Sequence, residues 1–165
     1  MSNMKWQQLV SHHDLIPHPE GGFYREVFRH PETVSAQESD ADSTAASVAT
    51  HILYLLPAGE VSRFHRLKEV EMWHFYHGST LRLHLLENHR HHIIELSSAL
   101  SSASPFYCVP PGTWFAAESA GDYSMVGCTV VPGFMFAHFE MASRTALLDA
   151  YPDFSDTIMK FTHPH

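Results

Sequence analysis

The chain's 165 residues suit one domain, 1–165, and at 44% hydrophobic it can bury a real core. A net charge of −8 with His neutral, and no Lys/Arg cluster, argue against a nucleic-acid backbone as partner. No apolar run approaches the ~18 residues of a membrane span, and Met1-Ser-Asn-Met-Lys-Trp lacks the apolar core of a signal peptide, so a cytoplasmic protein is expected.

Trp6, Leu9 and Val10 stand at helical spacing, which predicts a short helix over about 3–15, ended by Pro17. His18-Pro19-Glu20-Gly21-Gly22 reads as a turn, with Glu20 at its rim, and 23–28 alternates as a strand. Residues 30–47 are small, polar and acidic and read as a long loop. Strands are then predicted over 48–56, 61–65, 71–77, 81–86, 93–96, 106–109, 113–118, 123–131 and 134–141. Asn88 to His92 reads as a turn open to adventitious metal, and 97–105 as a Ser/Ala loop. Two helices are predicted near the end, 143–151 stopped by Pro152 and then 153–161, and the terminal His163 and His165 read as disordered. Turns fall between the strands at roughly the 8–12 residue spacing of an all-β sandwich or barrel. The core is placed at about 20–141. With no export signal, Cys108 and Cys128 read as free thiols on buried strands. Most of the 15 His read as solvated surface groups.

The chemistry concentrates in one stretch. Gly59, His65, Glu71 and Gly78 form a spaced set, with Val109-Pro110-Pro111-Gly112-Thr113-Trp114-Phe115 downstream of it. Period-2 geometry puts Arg63 and His65 on one face of their strand, with Ser62 and Phe64 on the other. Glu71, Trp73 and Phe75 share a face on the next strand, while His74 points away unless a bulge turns it. A neutral His oriented by a carboxylate is a competent base near neutral pH, and Arg63 is a candidate clamp for an anion.

These two elements resemble the signature motifs of the cupin superfamily. Pro17-His-Pro-Glu-Gly-Gly-Phe-Tyr-Arg-Glu26, Ser62-Arg-Phe-His-Arg66, Glu71-Met-Trp-His-Phe-Tyr76, Pro110-Pro-Gly-Thr-Trp114, Val126-Gly-Cys-Thr-Val-Val-Pro-Gly-Phe134 and Phe139-Glu140 resemble the blocks of one subfamily of small bacterial and fungal cupins, mostly without an assigned activity. The resemblance implies a double-stranded β-helix, the jelly-roll barrel, with short N- and C-terminal helices, forming a homodimer around a small-molecule pocket. It places Arg63, His65, Glu71 and Trp73 in the barrel. Two metal-ligand slots depart from the pattern, holding Leu67 and Phe115, which cannot donate. These residues imply no cofactor; a divalent metal, if held, takes His65 and Glu71, with His18, His74 or His84 completing the set.

The expected catalytic residues are therefore His65 as base and Glu71 as its partner. Arg63, Trp73, His74, Trp114, Phe115 and Tyr24 are expected to bind substrate. The expected function is metal-independent isomerisation or epimerisation of a small polar metabolite, a sugar or nucleotide derivative. The alternatives are a metal-dependent cupin enzyme, a dioxygenase or isomerase with rearranged ligands, and a non-catalytic binding or structural cupin.

Overall fold

The computed structural model describes residues 5–35, 45–98 and 103–164. Parts of the expected 30–47 and 97–105 loops, and His165, lie outside them. Helix α1 (Trp6–His12) leads into β1 (Ile16–Pro17), β2 (Phe23–Arg29), β3 (Thr33–Val34), β4 (Ala46–Ser47), β5 (Thr50–Pro57), β6 (Val61–Leu67) and β7 (Val70–Gly78). Then come β8 (Leu81–Glu87), β9 (Arg90–Leu96), β10 (Phe106–Val109), β11 (Trp114–Ser119) and β12 (Tyr123–Val131). A 3-10 turn (Phe136–His138), β13 (Phe139–Met141), α2 (Arg144–Ala150), a second 3-10 turn (Pro152–Phe154) and α3 (Ser155–Lys160) complete the order. No helix among the described residues is long and apolar enough to cross a membrane.

Two sheets face each other as a jelly-roll sandwich. One has the order β1-β2-β5-β12-β7-β10, the other β13-β6-β11-β8-β9, and β3 pairs with β4 apart from both. The inward side chains alternate, as a half-buried strand requires: Leu81, Leu83 and Leu85 of β8 meet Tyr54, Leu56, Trp73, Val126 and Phe115 in the central core. A second cluster lies outside the five-stranded sheet, where α2 and α3 pack Leu147, Ile158 and Phe161 over Phe64, Leu86 and Ala116. α1 seats Leu9 against Leu55 and Met125.

Three expectations need correction. The 134–141 stretch is a strand only from Phe139, because the Phe134 amide donates to Thr50 Oγ1 at 2.9 Å and its carbonyl accepts from Arg29 Nη2 at 3.2 Å. Those bonds take backbone groups that a ladder would use. The 88–92 turn shrinks to Asn88-His89, both at positive φ (48° and 56°), so that Glu87 pairs with Arg90 and His91 and His92 belong to β9. Cys108 is exposed, and only Cys128 is buried; both are free thiols.

Of the three β-bulges among the described residues, one lies at Tyr76 in β7, and the other two set which side chains reach the cavity. In β6, Phe115 pairs with His65 but Ala117 with Ser62, so Arg63 and Phe64 together oppose one residue. In β2, Glu26 pairs with Ile52 but Phe28 with His51, so Val27 is the extra residue. Each bulge shifts the in–out alternation by one.

Candidate functional site

A cavity of about 310 Å³ opens between the sheets at one end. The six-stranded sheet supplies Tyr24, Glu26 and Arg29 from β2, Thr50 and Ile52 from β5, Cys128 and Val130 from β12, and Glu71 from β7. The facing side supplies His65 and Leu67 from β6 and Phe139 from β13. His18 and Glu20 reach in from the turn before β2, and Phe134 and Phe136 from the segment before β13.

The turn is built to deliver Glu20. Gly21 and Gly22 adopt φ of +114° and +70°. A Cβ on Gly21 would meet the Val61 carbonyl oxygen at 2.1 Å, and one on Gly22 the Leu55 carbonyl oxygen at 2.8 Å, so only glycine lets the turn lie on β5 and β6. The Tyr54 hydroxyl donates to the Gly21 carbonyl at 2.7 Å, and the Arg63 amide to the Glu20 carbonyl at 2.8 Å. Glu20 is then 5% exposed. Its Oε1 accepts from the Ser62 hydroxyl at 2.8 Å, and its Oε2 lies 3.1 Å from His65 Nε2. The bulge in β6 is what lets Ser62 and His65 reach the same carboxyl, while Phe64 turns outward against Phe161.

Hydrogen bonding settles the tautomers. His65 Nδ1 is 2.7 Å from the Arg63 carbonyl oxygen, which can only accept, so Nδ1 carries hydrogen. His65 Nε2, 3.1 Å from Glu20 Oε2, is then the ring nitrogen with a lone pair to accept a proton. Burial pushes His65 down to about 4 and raises Glu20, so an imidazolium–carboxylate ion pair is disfavoured here. His18 Nδ1 accepts from the Glu20 amide at 3.3 Å, leaving hydrogen on Nε2; burial lowers its pKa also.

Glu71 is set differently. It is 7% exposed, its Oε2 is buried without a hydrogen-bond partner, and burial, reinforced by Glu20, raises it well above the carboxylate range. Cys128 beside it is raised well above the usual thiol range by burial, with Glu71 and Glu20 adding to the effect, so it is no thiolate nucleophile.

Of the residues singled out in the sequence, His65, Glu71 and Tyr24 line this cavity, and Arg63, Trp73, His74, Trp114 and Phe115 do not. The Arg63 guanidinium donates to the Glu20 carbonyl at 3.2 Å and clamps the turn, so the expected anion clamp is a structural tie. Trp73 is packed edge-on between Tyr54 and Phe115 in the core. His74 faces outward, 3.1 Å from Thr129 Oγ1, with no bulge at its position. Trp114 lies outside the sandwich under the Arg66 guanidinium, 4.3 Å from its carbon to the ring centroid. Phe115 is buried behind the His65 ring at 4.2 Å and shields it from water rather than touching the cavity. The carboxyl beside His65 Nε2 is that of Glu20, at 3.1 Å. In the sequence Glu20 reads as a rim residue because its signal, an acid before paired glycines, is common to turns; Glu26, Arg29, Phe134, Phe136 and Phe139 carry no signal of their own.

The fold agrees with that of known proteins. The model of the cupin superfamily (DUF985) matches residues 7–142. The chain belongs to the cupin superfamily. This cupin superimposes on a crystal structure of a Shewanella oneidensis protein with a TM-score of 0.88 at 32% identity, covering 99% of this chain and 100% of that one. A hypothetical protein from Leishmania major gives 0.88 at 26% identity, with 97% and 99% covered. Oxalate decarboxylase from Bacillus subtilis gives 0.55 at 13% identity over 88% of this chain and 36% of that one, a likeness of fold alone. No curated protein matches the sequence.

The metal that cupins often hold does not fit the donors here. Leu67 and Phe115 offer no lone pair, and among the described residues no group of three or more His, Cys, Asp or Glu is placed to hold an ion.

Proposed function

We propose that this cupin binds a small molecule in the cavity and catalyses metal-independent proton transfer of the isomerase or epimerase kind. The observation that carries the reading is the 3.1 Å approach of Glu20 Oε2 to His65 Nε2, with His65 Nδ1 locked on the Arg63 carbonyl. Beside it stands Glu71, a second carboxyl kept in its acid form by burial. In the forward half, Glu71 gives its proton to a carbonyl oxygen of the ligand while His65 Nε2, released by Glu20, takes the proton of the adjacent carbon. In the return half the other hydroxyl of the enediol gives its proton to Glu71 and His65 protonates the former carbonyl carbon, so the carbonyl has moved by one carbon and both groups are reset. Phe115 and Phe139, whose rings lie 4.2 and 5.3 Å from that of His65, exclude water from the step. A nucleotide is disfavoured as substrate, because Arg63 is turned to the Glu20 carbonyl and Arg29 is paired with Glu26.

The test is deuterium wash-in. A panel of ketoses, aldoses and other small carbonyl compounds is incubated with protein in D2O and followed by proton NMR. The wild type exchanges at least one carbon-bound proton, and Glu20→Gln and His65→Gln each lower that rate by about 100-fold or more, the usual share of a general acid–base group. Exchange that survives His65→Gln, or none across the panel, rejects the reading.

One observation favours a non-catalytic binding cupin: both His65 nitrogens and both Glu20 oxygens are satisfied within the protein. Tight retention of a panel member without exchange selects that alternative.

A further inference from the structure

The ring of His18 is fixed from several sides. The His18 amide donates to the Gly22 carbonyl at 2.9 Å, and its carbonyl accepts from the Gly21 amide at 3.0 Å, which closes the turn. Its Nδ1 accepts from the Glu20 amide at 3.3 Å. Tyr24 and Phe139 meet the ring edge-on, with centroids 4.5 and 5.9 Å away. The side chain is 6% exposed and lines the cavity. With Nδ1 an acceptor, Nε2 carries the ring's hydrogen. That N–H has no acceptor among the described residues, and it is not among the atoms sealed from water. Neighbouring N–H groups are spent: His65 Nδ1 donates to the Arg63 carbonyl, and Arg29 gives Nε and Nη2 to the two oxygens of Glu26. A donor so nearly buried calls for an acceptor, and the cavity is where one can enter. Burial, opposed by Glu20, lowers the His18 pKa, so the ring offers its hydrogen bond without a charge near neutral pH. Beyond Phe139 the wall is apolar, with Phe134, Phe136 and Phe139 touching one another at ring centroids 4.9 to 6.3 Å apart.

We infer that the Nε2–H of His18 takes an acceptor oxygen of the ligand, so that the cavity selects a small neutral molecule with a carbonyl or hydroxyl oxygen on a hydrocarbon body that lies along Phe134, Phe136 and Phe139. His18 is then a specificity residue, placed by the same turn that delivers Glu20. A ligand group that can only donate meets an N–H facing its own and leaves both unpaired. This rests on reading the cavity as a small-molecule site, and not on the proton-transfer step. A site of about 310 Å³ holds a compact ligand at the low end of the usual range.

Probes of nearly equal size test it by protein-observed NMR titration at neutral pH: cyclohexanone, which only accepts, cyclohexanol, which accepts and donates, and cyclohexylammonium, which only donates. The ketone and the alcohol bind about fivefold or more tightly than the ammonium, the worth of one hydrogen bond. His18→Asn keeps an acceptor for the Glu20 amide at the place of Nδ1 and removes the Nε2–H. It weakens the ketone by about fivefold or more and moves the ammonium by less than about twofold. His18→Gln carries an N–H out to the place of Nε2 and restores the ketone to within about twofold of wild type. The Nε2 resonance of His18 in the wild type reads the contact without any substitution, and it shifts in step with ketone occupancy. An ammonium that binds as tightly as the ketone overturns the inference. So does a ketone affinity unmoved by His18→Asn, an Nε2 resonance that stays fixed as the ketone saturates, or no binding of any probe at millimolar concentration. None of these readouts requires turnover: the expected binding without deuterium exchange keeps the role of His18 and rejects the proton transfer alone.

Discussion

The Ser62 hydroxyl bonds one Glu20 oxygen, His65 Nε2 lies 3.1 Å from the other, and all three side chains are buried. Ser62→Ala removes a donor from a buried carboxyl, and should cost about 1–3 kcal/mol. Urea unfolding measures that loss. Gly22→Ala places a Cβ at positive φ against the Tyr54 ring and the Leu55 carbonyl, so it should lower the melting temperature and lift the turn together. At this scale His65 and Glu71 are legible because each falls on the inward count of its own strand, β6 in one sheet and β7 in the facing one. Arg63 and Trp73 are misplaced by that count for separate reasons. Counting by twos fails across the β6 bulge, which turns Arg63 to the Glu20 carbonyl. Trp73 is on the expected face of β7, but a side chain of that size fills the core beneath the cavity instead of lining it.

The bulges also explain why elements are easier to read than their faces. Strand β12 runs over the expected residues, since a run such as Tyr-Ser-Met-Val-Gly-Cys-Thr-Val-Val has no other use between turns. The extra residue in β2 leaves no trace in hydrophobicity, yet it puts Arg29 beside Glu26 at the cavity. The C-terminal helices are legible from Pro152 and their apolar spacing, but not their task, which is to cover Phe64 after the β6 bulge turns it outward. Phe161 is 1% exposed, packs on Phe64 with ring centroids 5.8 Å apart, and accepts the Phe64 amide at 2.8 Å through its carbonyl. Phe161→Ala should therefore destabilise the fold by about 3–5 kcal/mol, read from the denaturant midpoint, although it lies outside the cavity.

For the molecule as a whole, buried titrations oppose one another. Burial lowers His65 and His84 from 6.5 to about 4, so both are neutral when folded and take up protons on unfolding. Their contribution is lost as pH falls from 6.5 toward about 4. Glu20 and Glu71 are raised above 4.5, so they keep a proton when folded and release it on unfolding. Their contribution is present below 4.5 and is lost as pH rises. Between 4.5 and 6.5 the two sets cancel in part. Glu71→Gln removes one opposing proton, so stability should fall more steeply on acidification, by up to about 1.4 kcal/mol per pH unit. Denaturant unfolding at several pH values checks this; parallel slopes for wild type and variant would mean that Glu71 is ionised in the folded protein.

The Arg63 amide donates to the Glu20 carbonyl, a bond that joins two residues 43 apart in the chain. It sits in a bulge, where the Ala116 side of the ladder gives it no regular partner. Its protection from deuterium exchange therefore depends on the glycine turn staying docked, not on the sheet alone. That single amide becomes a gauge of how often the arm carrying Glu20 lifts away. It can be read in ligand-free protein with no substrate in hand, and any compound that settles in the cavity against the arm should slow its exchange before an activity is known.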